Sequence, residues 1–118
     1  MESDGRIMQR KDLVFYLEIF DTETSECIGH VVDITTRGCK VVNVDGFESG
    51  AVMELRMTLP DDRYGVKKLD FNAIARWSKP DINPDYLVTG FEIIRLGAKE
   101  RKIVRKLVEQ FGFKGETP

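Results

Sequence analysis

Two short motifs of the chain carry side chains that can bind an anionic, hydrogen-bonding ligand. Arg6 and Arg10 stand four residues apart near the N-terminus, and Asp33, Thr35 and Gly38 share one polar turn between two apolar runs. A guanidinium offers a planar fork of donors that matches phosphate oxygens or the O6/N7 edge of guanine. A nucleotide has both kinds of group, so the two motifs together predict a nucleotide-binding site.

Each residue type in the turn has a function that such a ligand needs. Asp33 can accept hydrogen bonds from the N1–H and exocyclic amine of guanine, while Thr35 supplies a hydroxyl. Gly38 allows either a close approach of the backbone to the ligand or a positive φ. The alternative is an ordinary hairpin connection, in which Asp and Thr bond to nearby backbone groups. The turn alone leaves both interpretations open.

The order of the two motifs resembles the PilZ family, whose members bind the bacterial second messenger cyclic di-GMP. That family has an Arg-x-x-x-Arg arm, which residues 6–10 match, and an Asp/Asn-x-Ser-x-x-Gly turn, which Asp33, Thr35 and Gly38 match with Thr in the Ser position. The segment Thr89-Gly90-Phe91-Glu92 looks like the family's Gly-Phe signature. The resemblance extends over nearly the whole chain and implies a receptor or adaptor that binds cyclic di-GMP and signals to a downstream protein partner.

Trp77 has two interpretations. Alternation with Leu69 and Phe71 places its side chain on the core face of a strand. Its position at the strand's end, beside Arg76 and Lys79, would instead suit a stacking platform for a guanine. We therefore include Trp77 with Arg6, Arg10, Asp33, Thr35 and Gly38 in the predicted ligand site.

Two departures from the PilZ pattern leave an alternative function open. Gly5 precedes Arg6 where family members often carry a second arginine, and Thr35 replaces the usual serine. The alternative is a PilZ-like adaptor that contacts a protein partner and binds no nucleotide. A barrel that binds single-stranded nucleic acid would need a basic groove with exposed aromatics. The net charge of -2 and the pI of about 5.5 argue against such a nucleic-acid-binding protein.

The composition predicts one soluble, non-enzymatic domain. The chain has 118 residues, 42% of them hydrophobic, and no apolar run near the ~18 residues of a membrane span. The N-terminus lacks the apolar segment of a signal peptide, so we expect a cytoplasmic location. His30 is the single histidine, so we predict no metal site, no cofactor, no catalytic residues and no enzyme activity. Cys27 and Cys39 are interpreted as reduced packing residues.

Hydrophobic periodicity predicts six strands and one helix. The strand-like runs are 13–20, 27–35, 39–44, 52–59, 69–77 and 87–96. From Ile103 to Phe111 the apolar residues follow helical spacing, which predicts an amphipathic helix that covers an open end of the sheet. The strand spacing is typical of an antiparallel barrel or sandwich, and the PilZ resemblance implies a six-stranded antiparallel β-barrel with a C-terminal α-helix. We predict a flexible arm (1–12), the barrel with its helix (13–112) and a tail (113–118).

Overall fold

The structure, a computed structural model, describes residues 17–60 and 62–111. Six antiparallel strands form a closed barrel in the order β1-β2-β3-β6-β5-β4, and one helix follows, which confirms the predicted fold. The predicted arm and tail lie outside the described residues, as does the beginning of the predicted first strand. The elements are β1 (Glu18–Asp21), β2 (Cys27–Ile34), β3 (Gly38–Asn43), β4 (Val52–Thr58), a 3-10 turn (Asp62–Tyr64), β5 (Lys68–Pro80), β6 (Leu87–Arg95) and α1 (Ala98–Phe111).

The core fills the barrel because alternate residues of each strand point inward. Buried side chains from the strands include Val41, Leu55 and Phe71. The apolar face of α1 joins them, with Ile103, Val104 and Leu107 all buried in the same cluster. On the other face of α1, the Lys106 ammonium donates a hydrogen bond to the carbonyl of Arg63, at 3.2 Å. The helix is therefore packed at the barrel end that holds the 3-10 turn.

Two of the bulges in the barrel, one in β2 and one in β5, interrupt the strand alternation and reverse the face of the residues that follow. In β2, Val31 pairs with Val41 but Asp33 pairs with Lys40, so Val32 is an extra residue. In β5, Ala75 and Trp77 pair with consecutive residues of β6, so Arg76 is the extra residue. Because a shift by one residue exchanges the two faces of a strand, Asp33 and Trp77 both lie on the outer face of the barrel.

The interpretation that Trp77 lies on the core face is wrong because of this bulge in β5. Its side chain is 37% exposed, because the extra residue Arg76 moves Trp77 from the inner face of β5 to the outer face. β5 also continues past Trp77 and ends at Pro80, three residues further than predicted. Proline is tolerated there because it lies at the end of the strand, where one missing donor removes little of the ladder.

The two cysteines differ in their environment. Cys39 is buried, as expected of a packing residue, and it pairs with Ile34 across the β2–β3 hairpin. Cys27, at the start of β2, is exposed, so its interpretation as a packing residue is wrong. The strand begins next to the β1–β2 loop, where little of the barrel covers the side chain. Within residues 17–60 and 62–111, no helix has the length and apolar composition needed to cross a membrane.

Candidate functional site: an outer groove across four strands

A groove of about 750 Å³ crosses the outer face of β2, β3, β6 and β5. One row of cross-strand neighbours runs along it: Asp33 pairs with Lys40, Lys40 with Gly90, and Gly90 with Trp77. Neighbouring strands are about 4.8 Å apart, so three strand spacings separate Asp33 from Trp77 by about 14 Å. The row places a carboxylate at one side of the groove and an indole at the other. We call this feature the outer groove.

Two glycines keep this part of the barrel surface free of side chains. A Cβ atom at Gly90 would stand 2.5 Å from the indole nitrogen of Trp77, so the ring lies against the glycine backbone. A Cβ atom at Gly38 would overlap the carbonyl oxygen of Phe91 on β6. Gly38 does not have a positive φ. Gly38 is therefore explained by the close approach of β3 to β6, whereas a close approach of its backbone to a ligand stays a prediction.

The hydroxyl of Thr35 organises the β2–β3 turn. Its oxygen accepts hydrogen bonds from the backbone N–H of Arg37, at 2.9 Å, and from that of Gly38, at 3.2 Å. The backbone N–H of Thr35 donates to the carbonyl of Gly38 at 2.8 Å. The carbonyl of Arg37 in turn accepts a bond of 2.8 Å from the N–H of Ile93. Thr35 therefore fixes the shape of the turn, and Ile93 fixes the turn to β6.

The Asp33 carboxylate lies half-buried at the edge of the groove and accepts a hydrogen bond of 3.0 Å from the N–H of Ile34. Its negative charge acts on the Cys39 thiol beneath it. Burial of the thiol, with a smaller contribution from Asp33, raises the pKa of Cys39 from 9.0 to about 12. Cys39 is therefore a protonated, apolar part of the groove floor at neutral pH.

The cations of the groove are partly neutralised by its own carboxylates. Arg37, Lys40 and Arg76 line it together with Asp33 and Glu92. The guanidinium of Arg76 binds the Glu92 carboxylate through two nitrogens, at 2.6 and 2.7 Å. Both side chains are half exposed, so this ion pair contributes little stability and can exchange partners. The groove is thus only weakly positive, and a ligand with two phosphates would need further cations.

An ammonium group lies beside the aromatic side of the groove. The Lys79 nitrogen is 4.9 Å from the centroid of the Trp77 ring, within the range of a cation–π interaction. The bulge at Arg76 puts both side chains on the outer face, since Lys79 follows Trp77 by two residues. A purine that stacks on the exposed ring would take the place of the Lys79 ammonium, whose long side chain is exposed and can move aside.

The structure brings four of the six predicted site residues together in the outer groove: Asp33, Thr35, Gly38 and Trp77. Arg6 and Arg10 lie outside the described residues. Lys40 was not among the predicted site residues, although counting the hairpin register outward from the turn would have placed it near Asp33. Among the described residues, no three His, Cys, Asp or Glu side chains are grouped as they would be to bind a metal ion.

No protein-family model matches the sequence, and no curated protein matches it either. One solved structure with a similar fold is that of the Bacillus subtilis inhibitor of motility (MotI/DgrA), with a TM-score of 0.68 and 19% sequence identity. The alignment covers 85% of this chain and 48% of that one, so this chain spans about half the length of the inhibitor of motility. At this level of identity the likeness establishes a shared fold.

Proposed function

We propose that the chain is a PilZ-type receptor that binds cyclic di-GMP in the outer groove and signals to a downstream protein. The observation that carries this proposal is the row from Asp33 to Trp77, which the two bulges turn to the outside of the barrel. The row combines an acceptor for a guanine edge with a stacking surface for a base. Both are on rigid strands, which lowers the entropic cost of binding.

Arg6 and Arg10 complete the site in this proposal. The groove's own cations are offset by Asp33 and Glu92, so the two phosphates of cyclic di-GMP require additional positive charge. Arginine supplies it with the planar donor geometry that phosphate and guanine both accept. Ordering the arm costs ~1 to 2 kcal/mol for each residue's backbone. The charge-assisted contacts of the arginines offset that cost, and the ordered arm presents a changed surface to the partner.

The shared fold supports a regulatory output. The solved structure that the barrel resembles is that of an inhibitor of motility, and no catalytic constellation was predicted from the sequence. In this proposal the protein performs no chemistry on the nucleotide. Ligand occupancy alone changes how the barrel and its arm contact the downstream protein.

The PilZ-like adaptor that binds no nucleotide is the second candidate. Two observations favour it: the Thr35 hydroxyl already accepts two backbone hydrogen bonds, and the Arg76 guanidinium already binds Glu92. Both groups would have to bind a ligand in addition to these partners or exchange them for it. A direct titration separates the two candidates.

The decisive experiment is a calorimetric titration of the full chain with cyclic di-GMP, GTP and cyclic GMP. We expect binding of cyclic di-GMP and no comparable binding of GTP or cyclic GMP, because two guanines and two phosphates must engage the groove and the arm at once. Trp77→Ala should weaken binding about tenfold. Tyr86→Ala is the matched control, since Tyr86 is 41% exposed and does not line the groove. Absence of heat with cyclic di-GMP would leave the adaptor as the function.

A further inference from the structure

A second, larger cleft of about 1020 Å³ lies at the end of the barrel formed by the β1–β2, β3–β4 and β5–β6 loops. In an antiparallel barrel these three connections share one end, while the β2–β3 turn, the β4–β5 connection and α1 share the other. The cleft extends from the loops onto the outer surface of β2 and β3. We call it the loop-end cleft. It is separate from the outer groove, and the two have no lining residue in common.

Many of the side chains that line the loop-end cleft are apolar, and we call them its floor. They include Ile28, Val42, Val44, Phe47, Tyr86 and Val88. Val44 is 66% exposed and Tyr86 is 41% exposed. Ile82, on the loop between two lining residues, is 93% exposed. A cluster of exposed apolar side chains around a concave surface is typical of a protein interaction site.

Carboxylates also line the cleft, and we call them its rim. Its described lining residues include Asp21, Glu26, Asp45 and Asp81 but no lysine or arginine. Glu26, Asp45 and Asp81 form no ion pair with any residue in the described ranges. The negative charge around the cleft is therefore not neutralised within this part of the chain. Such a rim repels a phosphate, so this cleft does not suit a second nucleotide.

We propose that the loop-end cleft binds a basic amphipathic helix of a partner protein. The apolar side chains of that helix would occupy the floor, with its lysines and arginines against Asp45 and Asp81 on the rim. The apolar floor supplies affinity, while the unneutralised carboxylates select a basic partner and speed its association. This inference goes beyond the proposed nucleotide function, because the cleft and the outer groove have different lining residues and the occupant of the cleft is a protein segment.

The test uses the full chain and two synthetic 14-residue helical peptides that have leucines at the same positions. The polar face of one peptide carries lysines, and that of the other carries glutamates. Fluorescence anisotropy of the labelled peptides measures affinity, and amide chemical shifts locate the contact. We expect the lysine peptide to bind at least about tenfold more tightly than the glutamate peptide. The shifts should concentrate on residues 42–47 and 81–88.

Matched variants separate the cleft from general surface effects. Val44→Ser should weaken the lysine peptide about fivefold. Val52→Ser should change it less than twofold, because Val52 is equally exposed, at 67%, but does not line the cleft. The double variant Asp45→Lys, Asp81→Lys should abolish the preference for the lysine peptide. Glu100→Lys combined with Glu109→Lys makes the same change in net charge on α1, at the other end of the barrel, and should retain the preference.

Several outcomes would overturn the proposal. No binding of the lysine peptide to the wild-type chain would do so, as would equal losses in Val44→Ser and Val52→Ser. Chemical shifts confined to residues 33–40 would assign peptide binding to the outer groove. Analytical ultracentrifugation tests for a second copy of the chain as the occupant. A wild-type dimer that Val44→Ser converts to a monomer would assign the cleft to self-association.

Discussion

The indole ring of Trp77 lies against the backbone of Gly90, on the neighbouring strand, so closely that no side chain fits between them. The contact exists because the extra residue Arg76 turns Trp77 outward at the level where β6 has a glycine. The ring is therefore held on the barrel surface while one part of it stays exposed. Glycine at position 90 is explained by this packing, which gives the ring a fixed position in the outer groove.

Gly90→Ala should displace the ring of Trp77. A Cβ atom there would stand 2.5 Å from the indole nitrogen, so the side chain must rotate away. Because Trp77 is the single tryptophan of the chain, its emission spectrum should shift, and cyclic di-GMP affinity should fall about tenfold. Trp77→Ala sets the maximum loss of affinity to be expected. An unchanged emission spectrum in Gly90→Ala would contradict the contact described above.

Thr35→Val should destabilise the fold even without a ligand. The substitution removes the oxygen that accepts the N–H groups of Arg37 and Gly38, so the free energy of unfolding should fall by about 1 to 2 kcal/mol. Thr35→Ser keeps the oxygen and should be nearly neutral for both stability and affinity. Thr36→Val is the control, because it makes the same exchange of a hydroxyl for a methyl group in the same turn. Equal losses in the two valine variants, measured by urea denaturation, would contradict the assigned role of Thr35.

The regular alternation of the strands predicted an antiparallel barrel or sandwich, and the PilZ resemblance implied the six-stranded barrel. Alternation predicted the wrong face for residues that follow a bulge. Nothing in the residue types of Val32 or Arg76 marks them as bulges, and only pairing with the neighbouring strand reveals them. The face of Trp77 therefore could not be derived from β5 alone. The turn motif predicted Asp33, Thr35 and Gly38 as a local group, and the register of the hairpin could have added Lys40. Glu92 joins them through the pairing of β3 with β6, which links distant parts of the chain.

Asp33→Ala should weaken cyclic di-GMP binding by about 1 to 3 kcal/mol, because the guanine edge loses its acceptor. Asp33→Asn retains one oxygen acceptor, and the PilZ motif also allows asparagine at this position, so it should recover most of the affinity. Calorimetry gives the affinities, and circular dichroism verifies that each variant folds. If the folded Asp33→Ala variant bound as tightly as the wild type, Asp33 would serve only the turn through its hydrogen bond to Ile34.

The two thiols should differ in reactivity. Cys27 is exposed, whereas burial and the nearby Asp33 charge raise the pKa of Cys39 to about 12. Iodoacetamide at pH 8 should therefore modify Cys27 alone in the native protein and both cysteines in urea, as counted by mass spectrometry.

The native state holds the Cys39 proton more tightly than the unfolded state, so stability should fall as the pH rises from about 9 towards 12. Cys39→Ala should lack this part of the pH dependence, and rapid native labelling of Cys39 would contradict its burial.

Arg10 should contribute more to nucleotide binding than Arg6. It stands three residues before Leu13, where the first predicted strand begins, so less entropy is lost when it binds. Arg10→Ala should nearly abolish cyclic di-GMP binding, with a smaller loss in Arg6→Ala. Arg10→Lys should recover little, because a point charge cannot reproduce the planar fork of donors.

Affinity and melting temperature should be measured on all three variants, and we expect the melting temperatures without ligand to be nearly unchanged. Full recovery by lysine would reduce Arg10 to a nonspecific charge, whereas a large drop in melting temperature without ligand would assign Arg10 to the fold and not to the binding site.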